Sequence, residues 1–214
     1  MELREYIDHT LLKPDATPEQ IAKLCDEARR YGFKSVCVNS CYAELVASEL
    51  KGSGVLTCCV VGFPLGAMLT AAKAYEAALC VESGADEIDM VINIGFAKAG
   101  MWDRVEEDIA AVVRASGAGT TVKVILETCL LNDAEKRLAC ECAMRAGAGF
   151  VKTSTGFSTG GALPEDVSLM RATVGDTMGV KASGGIRTRD DALRMIAAGA
   201  TRIGASASIA IVRE

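Results

Sequence analysis

Two lysines lie within short runs that read as buried β-strands, and each is soon followed by glycine. The runs are Phe150-Val151-Lys152-Thr153-Ser154-Thr155-Gly156 and Val180-Lys181-Ala182-Ser183-Gly184-Gly185. Taking an ammonium out of water is costly unless it is paired or neutralised. A pair of lysines on successive strands therefore points to one amine held neutral and nucleophilic beside a second cation. Imine-forming enzymes need such an amine, because lysine with its ordinary pKa of about 10.4 is almost wholly protonated at neutral pH. Burial and the neighbouring cation are both expected to oppose that charge.

Side chains alternate between two faces along a strand. In Glu87-Ile88-Asp89-Met90-Val91-Ile92-Asn93, the set Ile88, Met90 and Ile92 suits packing beneath helices. Asp89, Val91 and Asn93 are then expected to face the interior. The same reasoning turns Lys123, Ile125 and Glu127 inward from the run Val122–Glu127. The inferred interior collects Asp89, Lys123, Glu127, Lys152 and Lys181, with Asp8 joining from the first strand. A lone strand lysine more often marks a solvent-facing edge, but two of them with Asp89 mark a functional cluster. Lys123 and Glu127 read equally as a mutual pair that positions its neighbours or as direct participants. His9 is the sole histidine and reads as structural, so neither a histidine-rich zinc site nor a triad drawing on several histidines is supported. Cys37 reads as packing, with a reactive thiol as the alternative.

The elements that must hold these residues recur in order. A helical pattern, a glycine and a strand follow one another at Tyr31-Gly32-Phe33, Ser83-Gly84-Ala85, Ala146-Gly147-Ala148 and Ala198-Gly199-Ala200. Glycine suits the left-handed position that closes a helix before the chain re-enters a sheet. Helix starts are marked by Thr17-Pro18-Glu19-Gln20, by Asn132 ahead of Glu135, and more loosely by Thr188 ahead of Asp190 and Asp191. Between them, Ile21, Leu24 and Ala28, and Trp102, Val105, Ile109 and Val112, fall at helical spacing. Eight strands are predicted, at Tyr6–Thr10, Ser35–Asn39, Leu56–Val61, Glu87–Asn93, Val122–Glu127, Phe150–Ser154, Gly179–Ala182 and Arg202–Gly204. Strict alternation argues for a parallel sheet. Eight units of about 27 residues suit a compact α/β architecture, the (β/α)₈ TIM barrel, as one domain over residues 1–214. An open doubly wound sheet is the runner-up, since periodicity does not show closure.

In a barrel the active site forms where strands feed their following loops, and the last two loops usually hold phosphate. Ser183-Gly184-Gly185-Ile186-Arg187-Thr188 and Ile203-Gly204-Ala205-Ser206-Ala207-Ser208 both run from a strand into a helix. Backbone amides freed by glycine at a helix N-terminus bind phosphate well, which implies a small phosphorylated substrate.

Half the 214 residues are hydrophobic, enough to bury a large core, and the net charge of −5 comes without a basic block. Nucleic-acid binding has no support. Nine cysteines are an odd number, mostly within apolar runs and without a Cys-x-x-Cys pair, so they read as reduced core residues of a cytoplasmic protein. The polar start Met1-Glu2-Leu3-Arg4-Glu5 does not read as a signal peptide. The uncharged stretch Val55–Ala72 is broken by Gly62, Pro64 and Gly66, and reads as strand, turn and helix rather than a membrane span.

Six segments together resemble the deoxyribose-phosphate aldolases, an imine-forming (class I) aldolase family with a barrel fold. They are Asp8-His9-Thr10-Leu11-Leu12-Lys13-Pro14, Gly62-Phe63-Pro64-Leu65-Gly66, Gly84-Ala85-Asp86-Glu87-Ile88-Asp89, Val122–Thr128, Phe150–Phe157 and Lys181–Thr188. They run in order along essentially the whole chain. The resemblance implies a Schiff base on Lys152, proton transfer by Asp89 and Lys181, and substrate phosphate near Gly184, Gly185 and Ser206. It implies no cofactor and no metal, with 2-deoxy-D-ribose 5-phosphate cleaved to glyceraldehyde 3-phosphate and acetaldehyde. Some relatives carry serine at the position of Ala207. Longer ones end in a mobile tail whose tyrosine assists proton transfer, whereas this sequence stops at Ile211-Val212-Arg213-Glu214, so turnover efficiency is left open. Other readings are a different imine-forming phosphosugar aldolase, a transaldolase-like or thiazole-synthase-like barrel, or a silent phosphometabolite binder. Oligomeric state is also open, a dimer or tetramer being compatible with a barrel of this size.

Overall fold

Apolar strands that cannot expose either face dictate the architecture. In the computed structural model, which describes residues 2–213, the strands are β1 (Ile7–Leu11), β2 (Ser35–Asn39), β3 (Leu56–Val61), β4 (Glu87–Val91), β5 (Thr121–Ile125), β6 (Phe150–Lys152), β7 (Gly179–Ser183) and β8 (Arg202–Ala205). Met1 and Glu214, at the two ends read above, lie outside the described residues. The helices are α1 (Pro18–Tyr31), α2 (Ala43–Leu50), α3 (Thr70–Glu82), α4 (Ile94–Lys98), α5 (Trp102–Ser116), α6 (Asp133–Arg145), α7 (Pro164–Val174), α8 (Arg189–Ala197) and α9 (Ser208–Arg213). Each strand pairs in parallel with the next, and β8 returns to β1, with Ile7 opposite Ile203 and Asp8 opposite Gly204. That pairing closes the (β/α)₈ barrel and removes the open-sheet alternative.

Strand alternation divides the buried residues into two bodies. Ile88, Met90, Val122, Val124, Val151, Val180 and Ile203 face outward and pack with helix residues such as Ile21, Ile109 and Met170. A separate, small apolar cluster of Leu12, Cys37, Cys58 and Val60 lies inside the barrel. Burying a large aliphatic side chain contributes roughly 1.5–3 kcal/mol, so the outer body dominates stability and leaves the interior free for polar groups.

The helix signals operate as read. Thr17 and Gln20, Asn132 and Glu135, and Thr188 and Asp191 each form a reciprocal capping box. Gly32 closes α1 in the left-handed conformation at φ 66°. The Val55–Ala72 stretch resolves into β3, a turn and the start of α3, and no helix among the described residues is long and apolar enough to cross a membrane.

Three strands end earlier than predicted, because the chain turns over the barrel rim as soon as the ladder stops. β4 ends at Val91, and Asn93 caps α4 by accepting from the Phe96 amide instead of facing inward. β5 ends at Ile125, and Glu127 takes a left-handed conformation at φ 56°. β6 ends at Lys152, which places the amine at the strand terminus.

Candidate active site

Seven charged side chains converge within the barrel: Asp8 from β1, Glu87 and Asp89 from β4, Lys123 from β5, Lys152 from β6, Lys181 from β7 and Arg202 from β8. None is more than 6% exposed. Asp89 is the hub. Its Oδ2 accepts from Lys152 Nζ at 2.8 Å and from Lys181 Nζ at 2.7 Å, while Oδ1 accepts from Lys123 Nζ at 2.8 Å. Lys181 Nζ also stands 2.5 Å from Asp8 Oδ2, and Lys123 Nζ lies 2.7 Å from Glu87 Oε2 and 3.8 Å from Asp8 Oδ2. Arg202 closes the lower side, with Nη1 donating to Asp8 Oδ1 at 2.8 Å and to Glu87 Oε2 at 2.9 Å. Its guanidinium lies 5.2 Å above the Phe150 ring.

Glycine makes this packing possible at two places. A Cβ on Gly179 would lie 2.1 Å from the Phe150 ring, and one on Gly204 would lie 3.0 Å from Lys181 Cε. Both strands thin at the points where a large interior side chain must pass.

Partner counts separate the three lysines. Lys123 faces three carboxylates and Lys181 two, whereas Lys152 has Asp89 alone. Lys152 also lines a cavity of about 250 Å³, which neither Lys123 nor Lys181 lines. Burial works to raise the Asp89 carboxyl, but Lys123, Lys152 and Lys181 outweigh it and hold the group well below the usual carboxylate range. Asp8 is lowered in the same way, against burial, by Lys181, Lys123 and Arg202. Burial pulls Lys181 down, yet Asp8 and Asp89 prevail and raise it; Lys123 rises well above its ordinary value for similar reasons. Asp89 is therefore a standing anion, and Lys181 and Lys123 are standing cations. The interior differs here from the sequence expectation of a bare second cation beside Lys152. Lys181 is compensated by two carboxylates, one of which it shares with Lys152.

The same cavity gathers Gly184, Gly185 and Ser206, together with Thr155, Gly156, Arg187 and Lys13. Ala207 does not line it, and Ser208 donates its hydroxyl to the Ala205 carbonyl at 2.9 Å. Sequence reasoning brought Asp8, Asp89, Lys123, Lys152 and Lys181 together correctly. It misplaced Glu127, which does not pair with Lys123 and instead holds Thr155 at the rim. It also missed Glu87 and Arg202. Glu87 carried a usable signal, standing two residues before Asp89 on the same strand face, while Arg202 becomes visible only once β8 closes onto β1. His9 faces outward, with Nε2 2.9 Å from Glu27 Oε2 on α1, and is structural as read. Cys37 and Cys58 lie near Asp89 in a grouping with metal-ligand geometry. Lys123 and Asp89 contact Cys58, however, and the three ammonium groups gathered around Asp89 repel a further cation.

A closed barrel with a lysine at the end of β6 defines an α/β enzyme scaffold, and comparison with known proteins narrows it. A model of the DeoC/LacD family aldolases matches residues 4–212, so the chain belongs to that family of aldolases. It is 63% identical over 212 residues to the deoxyribose-phosphate aldolase of Finegoldia magna, covering 99% of each chain. The deoxyribose-phosphate aldolase of Clostridium novyi is 62% identical over 212 residues, covering 99% of this chain and 96% of that one. Among solved structures, the tetrameric deoxyribose phosphate aldolase of Aeropyrum pernix superimposes with a TM-score of 0.92 at 38% identity. That match covers 99% of this chain and 89% of the other.

Proposed function

We propose that this aldolase cleaves 2-deoxy-D-ribose 5-phosphate reversibly to D-glyceraldehyde 3-phosphate and acetaldehyde, through a Schiff base on Lys152. The observation that carries the reading is that, of the three interior lysines, Lys152 has the fewest carboxylate partners and opens onto the glycine-lined cavity. The relatives from Finegoldia magna and Clostridium novyi supply the substrate class.

Lys152 Nζ, once free of its proton, attacks the aldehyde carbon of the open-chain sugar, and the carbinolamine loses water to give an iminium. This cation occupies the place of the ammonium beside Asp89 Oδ2, so the anion that held the resting lysine also stabilises the intermediate. Loss of the proton from the C3 hydroxyl breaks the C2–C3 bond. The electron pair passes into the iminium, glyceraldehyde 3-phosphate leaves, and an enamine remains. Protonation at C2 and hydrolysis release acetaldehyde and return the amine. Asp89 and Lys181, working with a bound water, move these protons at the hydroxyl and enamine stages. Gly184, Gly185 and Ser206 bind the phosphate, fixing the sugar so that its aldehyde meets Lys152. Asp8 and Lys123 support by anchoring Lys181 and Asp89.

Seven buried free thiols fit a reducing, cytoplasmic setting. The tetrameric relative supports self-association of this chain. The test is enzymatic release of acetaldehyde from deoxyribose 5-phosphate, coupled to alcohol dehydrogenase. Release by the wild type and none by Lys152→Ala is expected; release from a different phosphosugar alone would point to another aldolase.

A further inference from the structure

Glu127 has features that its place in the fold does not require. Among the described residues it is the only one other than glycine with positive φ, at 56°, a region that a residue bearing a Cβ avoids. Its side chain is buried at 2% exposure, and no cation among the described residues pairs with it. A buried carboxylate without a counter-ion is costly as structure alone, and the uncharged glutamine, which keeps the shape and an acceptor, would be tolerated more readily there. Both of its oxygens serve one residue. Oε1 accepts from the Thr155 backbone amide at 3.1 Å, and Oε2 accepts from the Thr155 hydroxyl. The same hydroxyl oxygen accepts from the Phe157 amide at 3.0 Å. One carboxylate thus fixes the turn that follows Lys152.

That turn lines the cavity through Thr155, Gly156 and Phe157. Further along, the same loop packs on the glycine loop after β7. A Cβ on Gly161 would lie 2.3 Å from the Gly184 carbonyl oxygen, and the Ala162 amide donates to that oxygen at 2.9 Å. The walls on either side of the proposed phosphate position are therefore in contact.

We propose that Glu127 is a positioning residue which, through Thr155, sets the wall against which the phosphate-bearing end of the substrate docks. The inference rests on the aldolase reading above and adds a determinant of substrate length to it. Glu127 governs how well a phosphorylated sugar is held, and leaves the attack of Lys152 on a short aldehyde untouched.

Glu127→Gln keeps the shape and one acceptor for the Thr155 amide while removing the charge. With deoxyribose 5-phosphate it is expected to raise KM by about tenfold, the effect of losing a charge-assisted hydrogen bond, with kcat changed far less. Acetaldehyde trapped on Lys152 by borohydride is expected to match the wild type. Thr155→Val is expected to reproduce this split, Thr155→Ser to restore it, and the Glu127→Gln/Thr155→Val double variant to lose little more than either single one. An unchanged KM, a parallel loss of acetaldehyde trapping, or fully additive losses would overturn the proposal. Absence of trapping at Lys152 in the wild type would instead overturn the aldolase mechanism itself.

Discussion

At the scale of single residues, function follows from how three carboxylates are shared among four cations. Lys152→Met leaves Asp8, Glu87 and Asp89 facing Lys123, Lys181 and Arg202, so the interior stays balanced. We expect that variant to lose activity to background while its thermal midpoint holds or rises, as followed by calorimetry beside the acetaldehyde assay. Asp89→Asn acts in the opposite way, because it leaves Lys152 with no carboxylate partner and takes one each from Lys123 and Lys181. We expect a cost of about 3–5 kcal/mol in stability, measured by urea unfolding, and a loss of at least about 100-fold in kcat. Lys152 and Lys181 were legible in sequence because each interrupts an apolar strand with a charge. Arg202 was not, since its meaning depends on Asp8 and Glu87, which are far away in sequence and adjacent only after closure.

Elements translate that residue pattern into position. Period-two alternation placed Asp89, Lys123, Lys152 and Lys181 on one face without any knowledge of the fold, and the register confirms it, with Asp89 opposite Lys123 and Lys152 opposite Lys181. Alternation stopped being a guide where the strands end. Asn93 and Glu127 were read inward as though β4 and β5 continued, but a loop has no fixed side-chain period. Glycine decides whether neighbouring interior layers fit. Gly179→Ala pushes a carbon into the Phe150 ring beneath Arg202, and we expect it to destabilise by about 1–3 kcal/mol. Gly119→Ala meets nothing within 4 Å and is the control, expected to unfold at the wild-type urea midpoint.

For the whole molecule, the buried charges and thiols set a window of pH stability. Burial lowers His9 from its ordinary 6.5, against the pull of Glu27, so the unfolded chain takes up a proton there before the folded one. Stability is present above pH 6.5 and begins to fall as pH drops below it. The fall steepens below the ordinary aspartate value of 3.8, as Asp8 and Asp89 are forced to protonate. On the alkaline side, burial raises the Cys25 thiol from 9.0 to about 11 and the Cys140 thiol to about 12. The unfolded chain therefore releases protons above pH 9 that the folded chain keeps, and stability falls. The raised Lys181 and Lys123 add to this loss above 10.5. We expect the thermal midpoint to be flat between about pH 6.5 and 9, with the steepest acid loss below 4.

Reductive trapping tests the central claim most directly. Incubation with acetaldehyde and borohydride, followed by digestion and mass spectrometry, is expected to place a single ethyl group on Lys152, with none on Lys123 or Lys181. An adduct on either of those lysines, or active enzyme that yields no adduct, would contradict the account.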